Sequence, residues 1–179
     1  MAKSCRMTRI TSGLLKGKLL QVPRGIRPLT EKVRKAIFDS LGDWTQDTRV
    51  LDLFAGSGAA GIEALSHGAG SATFVDKLPT AILAIKDNTK DLDSTRIKII
   101  KQDAASFESL SPFDLIIADP PYKEMAGFSF ERVPGMLAAQ GFFILSHASR
   151  DSSPEILGLT LIKRSVYGDT ALSYYQKTV

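Results

Sequence analysis

The sequence has little of what builds a covalent or metal-held scaffold. It contains one cysteine, Cys5, in 179 residues, which excludes an intrachain disulfide framework and any multi-cysteine metal site. Its two histidines, His67 and His147, have no partners at metal-ligand spacing, so packing is expected of both. No apolar run approaches the roughly 18 residues of a membrane span. The N-terminus has no stretch resembling a signal peptide. There is no internal repeat, low-complexity tract or interdomain linker. A soluble, cytoplasmic protein is expected, and with no strong apolar stripe to mark an interface, a monomer. What is present is ordinary globular material, 44% hydrophobic and 23% charged, enough for one domain with a real core.

Charge is distributed unevenly. The net charge is +4, yet residues 1–35 hold ten Lys or Arg against a single acid, Glu31, and the remainder is net acidic. Such an arm suits a polyanion gripped through its phosphates. A solvated Lys-rich hairpin would carry the same charge. Residues 1–28 are therefore read as a basic N-terminal hairpin or arm, and 29–179 as the main domain. The candidate phosphate contacts on and beside the arm are Arg6, Arg9, Lys16, Lys18, Arg24 and Arg27.

Apolar periodicity sets the elements. Residues 6–22 alternate loosely around Gly13 and Gly17, as in a small β-hairpin. Thr30 can cap a helix in which Val33, Ile37, Phe38 and Leu41 recur at helical spacing. Strands are expected at 50–54, 71–75, 97–100, 114–118 and 141–146, with helices running through Ile62, Ala64 and Leu65, over 79–92 and over 129–139. Two late strands, 158–166 and 171–178, meet at the turn Tyr167-Gly168-Asp169-Thr170. This alternation predicts an α/β fold: a mostly parallel seven-stranded sheet, helices on both faces, and an antiparallel C-terminal edge. In such an edge strand Tyr174 and Tyr175 should send one ring to the core and one to solvent. Trp44 is expected to pack.

Two loops carry chemistry. Residues 56–61, GSGAAG, follow a strand and open a helix, the setting of a nucleotide-cofactor loop. A dinucleotide would bring its pyrophosphate here, and a nearby carboxylate would repel it. Asp52 stands four residues before Gly56, which suits a cofactor with a cationic end instead. S-adenosyl-L-methionine has an ammonium and a sulfonium, and no phosphate. Asp76 ends the next strand, where a carboxylate can accept two ribose hydroxyls. The second loop is Asp119-Pro120-Pro121-Tyr122, after four apolar residues. An exocyclic amine on a base is a poor nucleophile, because its lone pair is delocalised into the ring. The Asp119 carboxylate and the Pro120 carbonyl can accept its N–H groups, the two prolines fix the backbone, and Tyr122 offers a flat face to an extruded base.

With these residues in view the chain resembles the class I S-adenosylmethionine-dependent methyltransferases that act on amino nitrogens, which have a Rossmann-like sheet. It is most similar to the RsmD family of 16S rRNA guanine-N2 methyltransferases. That resemblance rests on VLDLFAGSG at 50–58, Asp76, Asp103 and DPPY at 119–122. It rests further on Arg27-Pro28-Leu29-Thr30, Val33-Arg34, Ile37-Phe38, GIEALS at 61–66, Gly68-Ala69 and YGDTA at 167–171. It implies that Asp52, Phe54, Ala55, Gly56, Ser57 and Gly58 hold the methionine part of the cofactor. Asp76 and Lys77 would lie at the ribose, and Asp103 with Ala104 beside the adenine. Asp119, Pro120, Pro121 and Tyr122 would receive the guanine. Thr30 and Arg34 would lie near the mouth, among the RNA contacts. The implied partner is 16S rRNA in the small subunit or an assembly intermediate. The chain departs from the family pattern at Asp76, where Glu is usual, at Leu29, where Thr is usual, and at His67, where Arg is common. Rival readings are an amino-methylating enzyme acting on DNA adenine N6 or on a protein glutamine, a nucleic-acid binder without turnover, and an NAD-binding protein.

Overall fold

The computed structural model describes residues 6–178. Cys5 lies outside them. The chain starts with a two-stranded antiparallel hairpin, β1 (Arg6–Arg9) and β2 (Leu19–Val22). Helix α1 (Glu31–Leu41) follows, capped as expected by Thr30, whose hydroxyl accepts from the Val33 N–H. Then come β3 (Arg49–Leu53), α2 (Ala59–Ser66), β4 (Ser71–Asp76), α3 (Pro79–Thr89), β5 (Ile97–Lys101) and β6 (Phe113–Ala118). A four-residue helix, α4 (Val133–Met136), leads into β7 (Leu137–Ala148), and the chain closes with β8 (Leu159–Tyr167) and β9 (Thr170–Lys177).

The seven-stranded sheet has the order β5-β4-β3-β6-β7-β9-β8. The first five strands are parallel, and β9 runs antiparallel to both β7 and β8. The chain builds outward from β3 through β4 to β5, then returns to lay β6 on the other side of β3. That reversal opens a crevice at the carboxyl ends of β3 and β6, where open α/β sheets bind ligands.

Strand registration assigns the two faces. On one, Val50, Leu115, Ile117, Ile144, Leu172 and Tyr174 pack under Val33, Ile37 and Phe38 of α1 and Ala60 and Ala64 of α2. Ala72 and Phe74, opposite Val50 and Asp52, extend this face beneath α2 and α3. On the other, Leu51, Leu53, Ile116, Phe143, Leu145 and Tyr175 are covered by α4 and by the turns carrying Ala104, Phe107 and Phe128. The three longer helices thus share one face, and short helical segments close the second. The hairpin belongs to the same body: Ile10 and Leu20 are buried in a cluster with Ile62, Phe74 and Ile85. Trp44 packs edge-to-face on Phe142, 4.8 Å between centroids. His67 stacks on Phe38, and His147 is buried with Nε2 2.7 Å from the Ser173 hydroxyl.

Two expectations are corrected. The helix expected at 129–139 is only α4 and a preceding helical turn; the chain is extended from Leu137 onward. Pro134 and Gly135 shorten the helix, and Leu137 pairs with Phe113 as the start of β7. Tyr174 and Tyr175 do not divide between core and solvent. Both are buried, one on each face, because β9 is an interior strand and β8 takes the edge.

Candidate active site

The carboxyl ends of β3, β4 and β6 and the segment between β2 and α1 enclose a cavity of about 300 Å³. Asp52, Phe54, Ala55, Gly56 and Ser57 line it, with Asp76 and Lys77, and Asp119, Pro120, Pro121 and Tyr122. Arg27, Thr30 and Arg34 line it as well. Both sequence motifs therefore face one space.

The turn after β3 is shaped by left-handed backbone. Phe54 has φ 58°, Gly56 φ 56° and Gly58 φ 78°. Gly56 lies under Ile26, whose Cγ2 would be 2.9 Å from a Cβ at that position. Gly61, in the first turns of α2, is needed for a close approach: a Cβ there would fall 2.4 Å from the Phe74 ring. This lets α2 settle onto β4 and brings the Gly61 N–H within 2.9 Å of Asp52 Oδ2. Asp76 receives two backbone donors, Gly56 N–H on Oδ2 and Leu78 N–H on Oδ1, both at 2.9 Å. The Ser57 hydroxyl is buried with no hydrogen-bond partner among the described residues, although its residue lines the cavity.

The cavity gathers the carboxyls of Asp52, Asp76 and Asp119. Burial pushes the Asp52 carboxyl up to about 8; Asp119 and Asp76 add to the rise, and Gly61 and Arg34 oppose it. Burial raises Asp119 to about 6, against a hydrogen bond from Ser146 and the charge of Arg27. A cationic ligand would relieve the repulsion among these acids, and an anionic one would add to it. At the rim, the Lys77 ammonium lies 2.9 Å from Glu124 and 3.5 Å from Asp103, tying together the segments after β4, β5 and β6.

Some expected residues stand elsewhere. Asp103 caps the helical turn at 104–106 through Ala105 N–H, and Ala104 is buried in the lower core; neither lines the cavity. Arg34 has no exposed surface to offer an RNA phosphate. Its guanidinium donates to the Leu29 and Arg9 carbonyls, the Thr8 hydroxyl and Glu63 Oε2. Glu63 in turn accepts from Thr11 and Ser12 N–H and the Thr11 hydroxyl. Lys18 is held by both Asp91 oxygens at 2.6 Å; Arg9 is exposed but lies 3.9 Å from Glu31, and Lys16, Arg24 and Arg27 are exposed. Sequence reading missed Ser146, Glu124 and Glu63. Ser146 carried a signal, a polar residue closing the apolar run GFFILS. Glu124 and Glu63 carried none, since charge alone does not say which residue it meets.

A model of the family described as conserved hypothetical protein 95 matches residues 8–176. The chain is 37% identical to "Putative rRNA methyltransferase YlbH" of Bacillus subtilis over 94% of its own length and 98% of the relative's. It is 30% identical to "Ribosomal RNA small subunit methyltransferase D" of Escherichia coli, covering 94% of this chain and 89% of that one. Among solved structures, "Putative methyltransferase yhhF" from Escherichia coli superposes with a TM-score of 0.84 at 29% identity, covering 97% and 99% of the two chains.

Proposed function

The chain belongs to the RsmD family, conserved hypothetical protein 95, and from that premise we propose that it transfers a methyl group from S-adenosylmethionine to the exocyclic N2 of a guanine in small-subunit rRNA. The observation that carries the reading is the meeting of Asp52, Asp76 and the glycine turn with Asp119, Pro120 and Tyr122 around one cavity. Relatives named as rRNA methyltransferases over nearly the whole chain support the substrate class.

The residues present suit a cationic cofactor. The acids favour positive charge, and the unpartnered Ser57 hydroxyl sits in the same wall. When bound, S-adenosylmethionine supplies an electrophilic methyl on a sulfonium. Asp52, once ionised, faces the ammonium end. Each Asp76 oxygen holds one backbone N–H and keeps a lone pair for a ribose hydroxyl. Asp119 is mostly ionised above about pH 6; its carboxylate accepts an N–H of the target amine and orients the lone pair, with the Pro120 carbonyl as the second acceptor. Tyr122 provides a wall for the flipped base, whose unstacking costs a few kcal/mol. Exposed Arg9, Lys16, Arg24 and Arg27 grip flanking phosphates and offset that cost.

The test is transfer of label from S-adenosylmethionine to small ribosomal subunits lacking N2-methylguanine, with nucleoside mass spectrometry of the product. N2-methylguanosine is expected. Cofactor binding without labelled RNA would redirect the search to DNA or protein amines. Absence of cofactor binding would overturn the reading of the glycine turn.

A further inference from the structure

We propose that the turn between β8 and β9 belongs to the substrate site, where Thr170 acts as a positioning residue for the Tyr122 ring. This rests on the amine-methylation reading and deepens it, because it names what holds the surface presented to the target base.

Registration places Thr170 on the relevant face. Ser146 of β7 lies opposite Leu172 of β9, and Ala148 lies opposite Thr170. Side chains two residues apart on a strand share a face. Thr170 therefore lies on the same side of the sheet as Ser146, whose hydroxyl helps to hold down the Asp119 pKa. It is also one step nearer the strand ends where the cavity opens, and it lines that cavity.

The contact itself joins the two loops. The Tyr122 hydroxyl lies 3.4 Å from the Asp169 carbonyl, which it can donate to, and 3.5 Å from Thr170 Oγ1. Tyr122 is 44% exposed, so packing alone leaves its ring considerable rotamer freedom. The other side of the contact is rigid. The Ser149 N–H donates to the Asp169 carbonyl at 2.9 Å, and Ala171, Leu172, Ser173, Tyr174 and Tyr175 are all buried. A threonine hydroxyl can donate or accept, and its β-branch restricts χ1. Such long contacts shorten when a site closes on its substrate. Held in this way, the ring fixes the plane of a stacked base, and with it the distance from the amine to Asp119.

A double-mutant cycle tests the link, with Tyr122→Phe, Thr170→Val and their combination assayed for methyl transfer to RNA. Each single change is expected to lower kcat about three- to tenfold, the range of one hydrogen bond. The combination should cost no more than the worse single change, and Thr170→Ser should restore most of the rate. Cofactor affinity by calorimetry and RNA affinity without turnover should stay within about twofold of wild type, since the phosphate grip lies elsewhere. Additive losses, failure of Thr170→Ser to rescue, or a matching fall in cofactor affinity would overturn the proposal and leave the methyltransferase reading intact. A wild-type chain that methylates no RNA amine would overturn both.

Discussion

Asp52 and Asp119 differ in how far burial has moved them, to about 8 and about 6, and the difference gives the site a pH signature. A carboxyl raised above its unfolded value stabilises the fold below that value and loses its contribution as pH rises through the folded one. In the free protein, thermal stability should therefore fall between about pH 4 and 8. Asp52→Asn should flatten the upper part of that fall, from about pH 6 to 8, in a melting series. Binding of S-adenosylmethionine should tighten over the same range and release protons near neutrality, read as a buffer-dependent heat in calorimetry. A pH-independent affinity would remove Asp52 from the cation's surroundings. Asp119→Asn should lower methyl transfer about 100-fold, as expected when the group that orients the amine is lost, while cofactor affinity is retained. Both acids were legible in the sequence because each sits in a contiguous motif at a strand end. The burial of Arg34 was not legible, because its partners, Glu63 and the carbonyls of Arg9 and Leu29, come from separate segments and bury it only by meeting.

The elements followed their apolar periods where length gave the pattern room. The hairpin, α1, α2, α3 and all seven sheet strands were readable to within a few residues. The stretch 129–139 was not, since an eleven-residue window containing Pro134 and Gly135 fits a short helix followed by a strand as well as one helix. The place of β9 was also hidden, because a hairpin in the sequence does not say which of its strands meets the sheet. The hairpin β1–β2 carries its own prediction. Charge reversal at Arg9, Lys16 and Arg24, all exposed, should weaken RNA binding and reduce the slope of log affinity against log salt by about 2–3, at about 0.7–0.9 per lost phosphate contact. Cofactor affinity should be unchanged. An equal loss in both would make these charges part of the scaffold.

Across the whole molecule, one buried pair joins the hairpin, α1 and α2. The Arg34 and Glu63 side chains are both 0% exposed, 3.4 Å apart, and their other bonds reach Thr8, Arg9, Thr11, Ser12 and Leu29. Burial lowers the Arg34 pKa, and Glu63 opposes the shift. Glu63→Ala would leave a buried cation without its counter-charge, at a cost of about 3–5 kcal/mol. Urea unfolding should show that loss, with early proteolysis of the hairpin; a change within about 0.5 kcal/mol, typical of a surface site, would contradict it. The arrangement of β9 has a different kind of consequence, in the order of synthesis. Strand β8 is made before β9 yet lies outside it, because β9 sits between β7 and β8. Until residues 170–177 emerge, β7 has an open flank and β8 has no neighbour in the sheet, so β8 must wait, exposed, for its own successor. Deletion of residues 170–177 would thus remove an interior strand together with Thr170, and the product would be a target for proteolysis or aggregation through the bare β7 edge.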